Sequence, residues 1–377
     1  MNLRKESEKR LLVVLLCLIL VVAWFKNGSE VKSEVESSEK VEDQKTTESG
    51  LESEFRSEQY GLDPVDPANF TVKSRPKIPC MGDCITVQGL LKDWPEAKPK
   101  GAYYVLIPSM KRMKFVLRIF RQIRSNLLGL YPVIVLCMTS TCPKSFPRDS
   151  ANGTDRLFYQ RVQQEAPSFL RRPIPRNTSC NKFEQMYHRE MNRFQSLRIY
   201  DEPILSQFEY LLRLNDVSEI PRPVSFDIFK FTKTHNITYG YRGIEFEKKV
   251  CTRGLWEASR DYLLKNDIDP QFFSQWPPRR SFYNNFEISK SSLWLSQEYK
   301  ALLTYFDRLG GIFYHRWGDG AMRTIAVSMF VPRSQVHHFG NVPYRHGEYL
   351  PEVSPGFDKV EGSDYVEDFL DPNLDVE

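Results

Sequence analysis

From residue 102 the stretch "AYYVLIP" is an unbroken apolar run of strand length, rich in aromatic and β-branched residues, and predicts a strand buried on both faces. Val116, Ile119, Phe120, Ile123 and Leu127 then recur at helical spacing, and "YPVIVLC" returns to a strand pattern. This β-α-β opening predicts a partly parallel sheet, with ligands bound at the carboxyl ends of its strands, near Pro108. Phe183, Tyr187, Met191 and Phe194 mark another helix. Beyond it, "YLLRL" reads as a central strand running straight into Asn215 and Asp216, whose side chains are expected at its carboxyl end. His337 and His338 fall in a strand pattern, so alternation sends them to opposite faces and they cannot both line one site. Both read as structural.

The polar stretches divide the chain. Residues 1–10 carry four cations and precede fifteen apolar residues, Leu11 to Phe25. That order predicts a cytosolic tail and either a short signal anchor or a cleaved signal peptide. Bulky Trp24 and Phe25, with no small-x-small cleavage site, favour the anchor and hence a type II protein whose main domain is lumenal. Residues 26–89 are polar, then proline-containing, and read as disordered stem and linker; the folded domain is expected over 90–352, and 353–377 as an acidic tail.

Composition agrees with a large globular core: the chain is 41% hydrophobic, and a net charge of +4 gives no reason to expect a nucleic-acid binder. Asn27, Asn69, Asn152, Asn177 and Asn236 each open a glycosylation triplet, as a lumenal domain would. Cys80, Cys84, Cys137, Cys142, Cys180 and Cys251 are expected to form disulfides of undetermined pairing rather than a zinc site, since no histidine lies beside the closely spaced pairs.

No glycine-rich phosphate loop follows the first strand, which argues against a dinucleotide dehydrogenase or a P-loop enzyme. Asn215 and Asp216 read either as a turn or as oxygen ligands for a divalent cation that bridges diphosphate oxygens. In "FYNNFEI", Glu287 stands among apolar residues, where a carboxylate is costly unless paired; it is either a structural acid meeting an arginine or a catalytic one.

"YNNFEI", "GGIFYHRWGD" and "PYRHG", in that order, resemble the fungal Golgi α-1,2-mannosyltransferases of the KTR type, as do "YHREMNRFQS" and "YLLRLNDV" upstream. The resemblance runs from about Ala102 to Gly347 and implies a mixed α/β sheet with flanking helices, the GT-A-like nucleotide-sugar fold, behind an N-terminal membrane anchor. It also implies transfer of mannose from GDP-mannose to a glycan acceptor with retention, in the Golgi or the endoplasmic reticulum, using Mn2+. The family's nucleophilic glutamate falls on Glu287 and its metal-binding histidine on His346. Asn215 stands where the family has a metal-site glutamate, and Asp216 is expected to substitute for it.

Asp319 reads as either a helix cap or a second catalytic acid, and Tyr187, Arg189, Arg193, Arg316 and Trp317 as candidate donor-binding residues. Arg189 and Arg193 share a helical face, where ion pairs are the alternative. Asn215, which brings no charge, motivates a second possibility: a catalytically silent lumenal protein that binds glycans or partners active transferases on the same scaffold.

Overall fold

The apolar runs become strands of one sheet. The computed structural model describes residues 55–68, 78–138, 142–144, 156–163, 166–180 and 186–347; the expected membrane anchor, Phe183 and the acidic tail lie outside them. β1 (Gly101–Ile107) and β2 (Val133–Cys137) are parallel, in register from Tyr103 opposite Val133 to Ile107 opposite Cys137. The helix Met113–Asn126 connects them, burying Met113, Val116, Ile119 and Ile123. The remaining strands are β3 (Leu157–Arg161), β4 (Tyr210–Leu214), β5 (Ser218–Glu219), β6 (Tyr239–Tyr241), β7 (Ile244–Phe246), β8 (Arg280–Phe282), β9 (Phe286–Lys290), β10 (Val336–His338) and β11 (Arg345–His346).

Seven strands form a mixed sheet in the order β10-β6-β9-β4-β1-β2-β3, with β4 at its centre, as "YLLRL" predicts. Every pairing in it is parallel except those of β9, which runs antiparallel to β4 and β6. Alternation along the central strands divides the interior in two. Ala102, Tyr104, Leu106 and Leu211 face one core, while Tyr103, Val105, Ile107, Tyr210, Leu212 and Leu214 face the other. Each fully buried Leu, Ile or Val contributes roughly 1.5–3 kcal/mol through burial of its side chain. Arg213 shares a face with Leu211, so the pattern drives one guanidinium into the first core.

One expectation needs correction. The folded region does not begin at residue 90: residues 55–68 pack against the main body, with Leu62 and Asp63 buried, and Asp63 accepts a hydrogen bond from the Tyr314 hydroxyl and pairs with Arg172. The helix Asp83–Lys92 also begins before that boundary, and the Asp83 carboxylate accepts the Tyr159 amide at the edge strand β3. The linker reading failed because each segment is anchored by a few scattered apolar side chains, Leu62, Cys84 and Val87 in the main core, together with polar contacts, and so few anchors set up no apolar period to detect. The cysteines pair as Cys80–Cys84, Cys137–Cys142 and Cys180–Cys251. Of the sequon asparagines, Asn177 and Asn236 lie among the described residues, and both are exposed. No helix among the described residues is long and apolar enough to cross a membrane.

Candidate active site at the carboxyl edge of the sheet

β1, β4 and β6 run in the same direction, and β9 enters the sheet from the edge at which they end. Four segments therefore meet there: the turn after β1, which holds Arg112; Asn215 and Asp216 after β4; Arg242 and Gly243 after β6; and Asn284 and Asn285 before β9. The small β5–β11 ribbon adds the last element, placing His346 opposite Ser218 in register. Tyr344 fastens it by sharing a 2.8 Å hydrogen bond with the Ser218 hydroxyl and donating one of 2.9 Å to the Asn285 carbonyl.

Asn215, Asp216 and His346 are thus brought to one place, but they are held differently. The Asn215 amide oxygen accepts the Val217 N–H at 3.2 Å, so this residue makes the turn. Asp216 presents the carboxylate, and it is held at both oxygens by Arg112, whose Nη2 donates at 3.0 Å. The His346 ring lies 6.0 Å from that of Tyr283, and its buried Nε2 has no hydrogen-bond partner among the described residues. Burial pushes the imidazole below the ordinary histidine range, with Asp216 opposing the shift, so the ring is neutral and available as a ligand. Among the described residues no three His, Cys, Asp or Glu side chains are gathered to enclose a metal. The orphan Nε2 beside one carboxylate instead fits a cation completed by diphosphate oxygens and water.

Arg213 connects this corner to a second cluster. Its Nη1 donates to Asp319 Oδ2, 2.5 Å away, and the Asn284 side chain donates to the same oxygen at 2.8 Å. Gly318 occupies the N-cap position of the helix Asp319–Phe330, so Asp319 is a member of the cluster rather than the cap. Glu245 and Glu247 line the same place. A Cβ at Gly320 would stand 3.4 Å from both the Glu245 carboxylate and the Asn284 amide, and one at Gly318 would stand 3.6 Å from Glu247. Burial pushes the Glu245 carboxyl up to about 8, reinforced by Glu247 and Asp319 and opposed by Arg213 and Arg316. Burial raises Glu247 as well, against the pull of Arg316.

Glu287 does not face this opening. Register places it beside Arg213 on β4, on the same face, but its side chain is 0% exposed. Oε1 is paired with Arg323 and receives the Tyr200 hydroxyl at 3.5 Å; Oε2 accepts the Tyr239 hydroxyl at 3.0 Å. Arg323 in turn lies 4.0 Å from the centre of the Trp294 ring. Of the two expected catalytic acids, Asp319 keeps 12% of its side chain exposed, whereas Glu287 keeps none and takes the alternative reading of a structural acid meeting an arginine.

Three expected donor-binding residues are elsewhere. Arg189 is fully buried and donates to the carbonyls of Pro175, Arg176 and Phe313. Arg193 makes a two-pronged pair with Asp307, both contacts 2.8 Å, which is the ion-pair alternative. Trp317 is core: it packs on Phe306, its indole donates to the Arg253 carbonyl, and a Cβ at Gly311 would lie 2.2 Å from its ring. Arg316, with φ of 70°, reaches the carboxylate cluster electrostatically, and Tyr187 likewise acts on Arg112. His337 contacts Phe231 and Phe339, whereas His338 lies against Tyr241, as alternation requires. Arg112, Arg213, Glu245 and Glu247 were not anticipated. The turn after the first strand was the signal for Arg112, and the charge inside "YLLRL" was the signal for Arg213.

The fold is similar to that of the mannosyltransferase Ktr4p from S. cerevisiae in complex with GDP, with a TM-score of 0.59 and 20% identity over 68% of this chain and 73% of that one. It is also similar to core-mannan synthase A from Aspergillus fumigatus in its Mn/GDP form, with a TM-score of 0.58 and 18% identity over 82% and 83%. In sequence the chain is 29% identical to glycolipid 2-alpha-mannosyltransferase 1 of Candida albicans over 49% of this chain and 45% of that protein. It is 31% identical to alpha-1,2 mannosyltransferase KTR1 of Saccharomyces cerevisiae over 43% and 44%. The chain thus spans about half the length of the curated relatives it matches. The model of the glycolipid 2-alpha-mannosyltransferase family matches residues 163–356, more than half of the chain, and the protein belongs to that family.

Proposed function

We propose that the protein is a glycosyltransferase that moves mannose from GDP-mannose to a glycan acceptor, with its donor held at the carboxyl edge of the sheet. One observation carries this reading: in a chain of this family, a half-buried imidazole whose Nε2 has no hydrogen-bond partner among the described residues, a strand-end carboxylate and the guanidinium of Arg112 converge there. Ktr4p in complex with GDP and core-mannan synthase A in its Mn/GDP form share this fold, which supports the same chemistry here. His346 and Asp216 would hold a divalent cation, which when bound neutralises diphosphate charge and stabilises the departing nucleotide. Arg112 adds a forked donor suited to phosphate oxygens.

The sugar is assigned to the Arg213 side of the edge. Transfer with retention develops positive charge at the anomeric carbon, and a fixed carboxylate stabilises that charge or attacks it. Asp319 is the carboxylate in position to do so, held at one oxygen by Arg213 and Asn284. Glu287 and Arg323 lie beneath as a rigid support for Arg213. Glu245, whose carboxyl keeps its proton to about pH 8, offers a hydrogen-bond donor to the sugar or the acceptor.

The test is transfer to an α-mannoside acceptor by the purified protein, with GDP-mannose, other nucleotide sugars, and Mn2+ or chelator. Mannose transfer that depends on Mn2+ is expected. Background turnover with every donor, together with retained oligosaccharide binding, contradicts the enzyme reading and favours the silent glycan-binding protein.

A further inference from the structure

Asp216 belongs to the proposed cation site, yet its carboxylate is already fully engaged. Its side chain is 8% exposed and both oxygens are taken by the Arg112 fork, while the arginine itself remains 35% exposed. Arg112 sits on the turn between β1 and the helix Met113–Asn126, supported on one side by the Phe115 ring 4.5 Å away. No hydrogen bond holds the neighbouring His346 Nε2. One of the two cation ligands is therefore bare and the other is occupied by a tethered positive charge.

The geometry points to Arg112 as a displaceable substitute for the cation, so that metal and nucleoside diphosphate bind cooperatively. This inference rests on the donor site proposed above. A cation arriving alone must evict the guanidinium from a nearly buried carboxylate and leave it without a counter-charge. A cation arriving with a diphosphate removes that penalty, because the released fork meets a new anion that accepts both of its N–H groups. Thermodynamic reciprocity then requires each ligand to tighten the other by the same factor. Arg112 is accordingly a binding residue that keeps the site closed to free divalent ions until the diphosphate arrives.

The experiment is Mn2+ binding to the purified full-length protein, followed by the electron paramagnetic resonance signal of free Mn2+, with and without GDP. In the wild type, GDP should tighten Mn2+ binding by about tenfold or more. Arg112→Ala should bind Mn2+ alone about tenfold more tightly than the wild type and be tightened by GDP correspondingly less, the remaining coupling being direct coordination of the cation by diphosphate oxygens. Arg112→Gln, which keeps the side-chain length, should move in the same direction, and adding Asp216→Asn should abolish the gain. Lys111→Ala removes an exposed charge one residue away and should leave Mn2+ affinity nearly unchanged. If the wild type binds Mn2+ with GDP but neither Arg112 variant alters binding of Mn2+ alone, or Lys111→Ala alters it equally, the displacement idea is wrong while the donor site stands. If no form binds Mn2+ even with GDP, the donor site itself is refuted.

Discussion

Glu287 on β9 and Arg323 on the helix Asp319–Phe330 form an ion pair in which neither side chain meets solvent. Removing one partner strands the other charge, so Glu287→Gln should cost about 3–5 kcal/mol of stability, read as a lower thermal midpoint. The double variant Glu287→Gln/Arg323→Met should lose less than the single one, since no uncompensated charge remains. An unchanged midpoint in Glu287→Gln would remove the structural role assigned to this pair.

Asp319 carries the complementary expectation. Asp319→Asn keeps an oxygen for Arg213 and Asn284 but removes the charge, so transfer should fall about 100-fold or more while GDP affinity in the presence of Mn2+ holds. Kinetics and nucleotide titration on the same preparation separate the two. A loss confined to nucleotide affinity would place Asp319 in donor binding instead.

Glu245 predicts a dependence on pH. Its carboxyl titrates at about 8 in the fold against 4.5 when unperturbed, chiefly through burial. As pH rises from about 4.5 to 8 the unfolded chain releases this proton and the folded chain retains it, so the residue progressively destabilises the fold across that window. Glu245→Gln should therefore melt higher than the wild type, by a margin that widens between pH 5 and pH 8. A margin constant with pH would show that the carboxyl titrates normally.

The disulfides should contribute unequally. Cys180–Cys251 closes a separation of 71 residues and Cys80–Cys84 one of 4. Loop-closure entropy gives roughly 4 kcal/mol for the first and roughly 2 for the second. Denaturant midpoints of the paired Cys→Ser variants should rank in that order.

Particular residues show what was legible in the sequence. "AYYVLIP" and "YLLRL" gave up their strands because burial on both faces leaves a continuous apolar run, and the carboxyl end of the latter strand located Asp216. The partners were hidden. Arg112 meets Asp216 across 104 residues, Arg213 meets Asp319 across 106, and Arg323 meets Glu287 across 36. Such pairings follow from sheet order and register rather than local period, so an acid in an apolar segment reads alike whether it faces a substrate or a buried arginine. For Arg189 and Arg193, helical spacing identified the shared element but not what each side chain would reach.

The central claim is that the carboxyl edge of the sheet holds a nucleotide diphosphate through a cation at His346. Calorimetric titration of GDP into the wild type and His346→Ala, each with Mn2+ and with chelator, tests it most directly. The account predicts that Mn2+ strengthens GDP binding to the wild type and that His346→Ala loses this enhancement while remaining folded. GDP binding that is absent from the wild type in Mn2+, or enhanced by Mn2+ equally in both proteins, would contradict it.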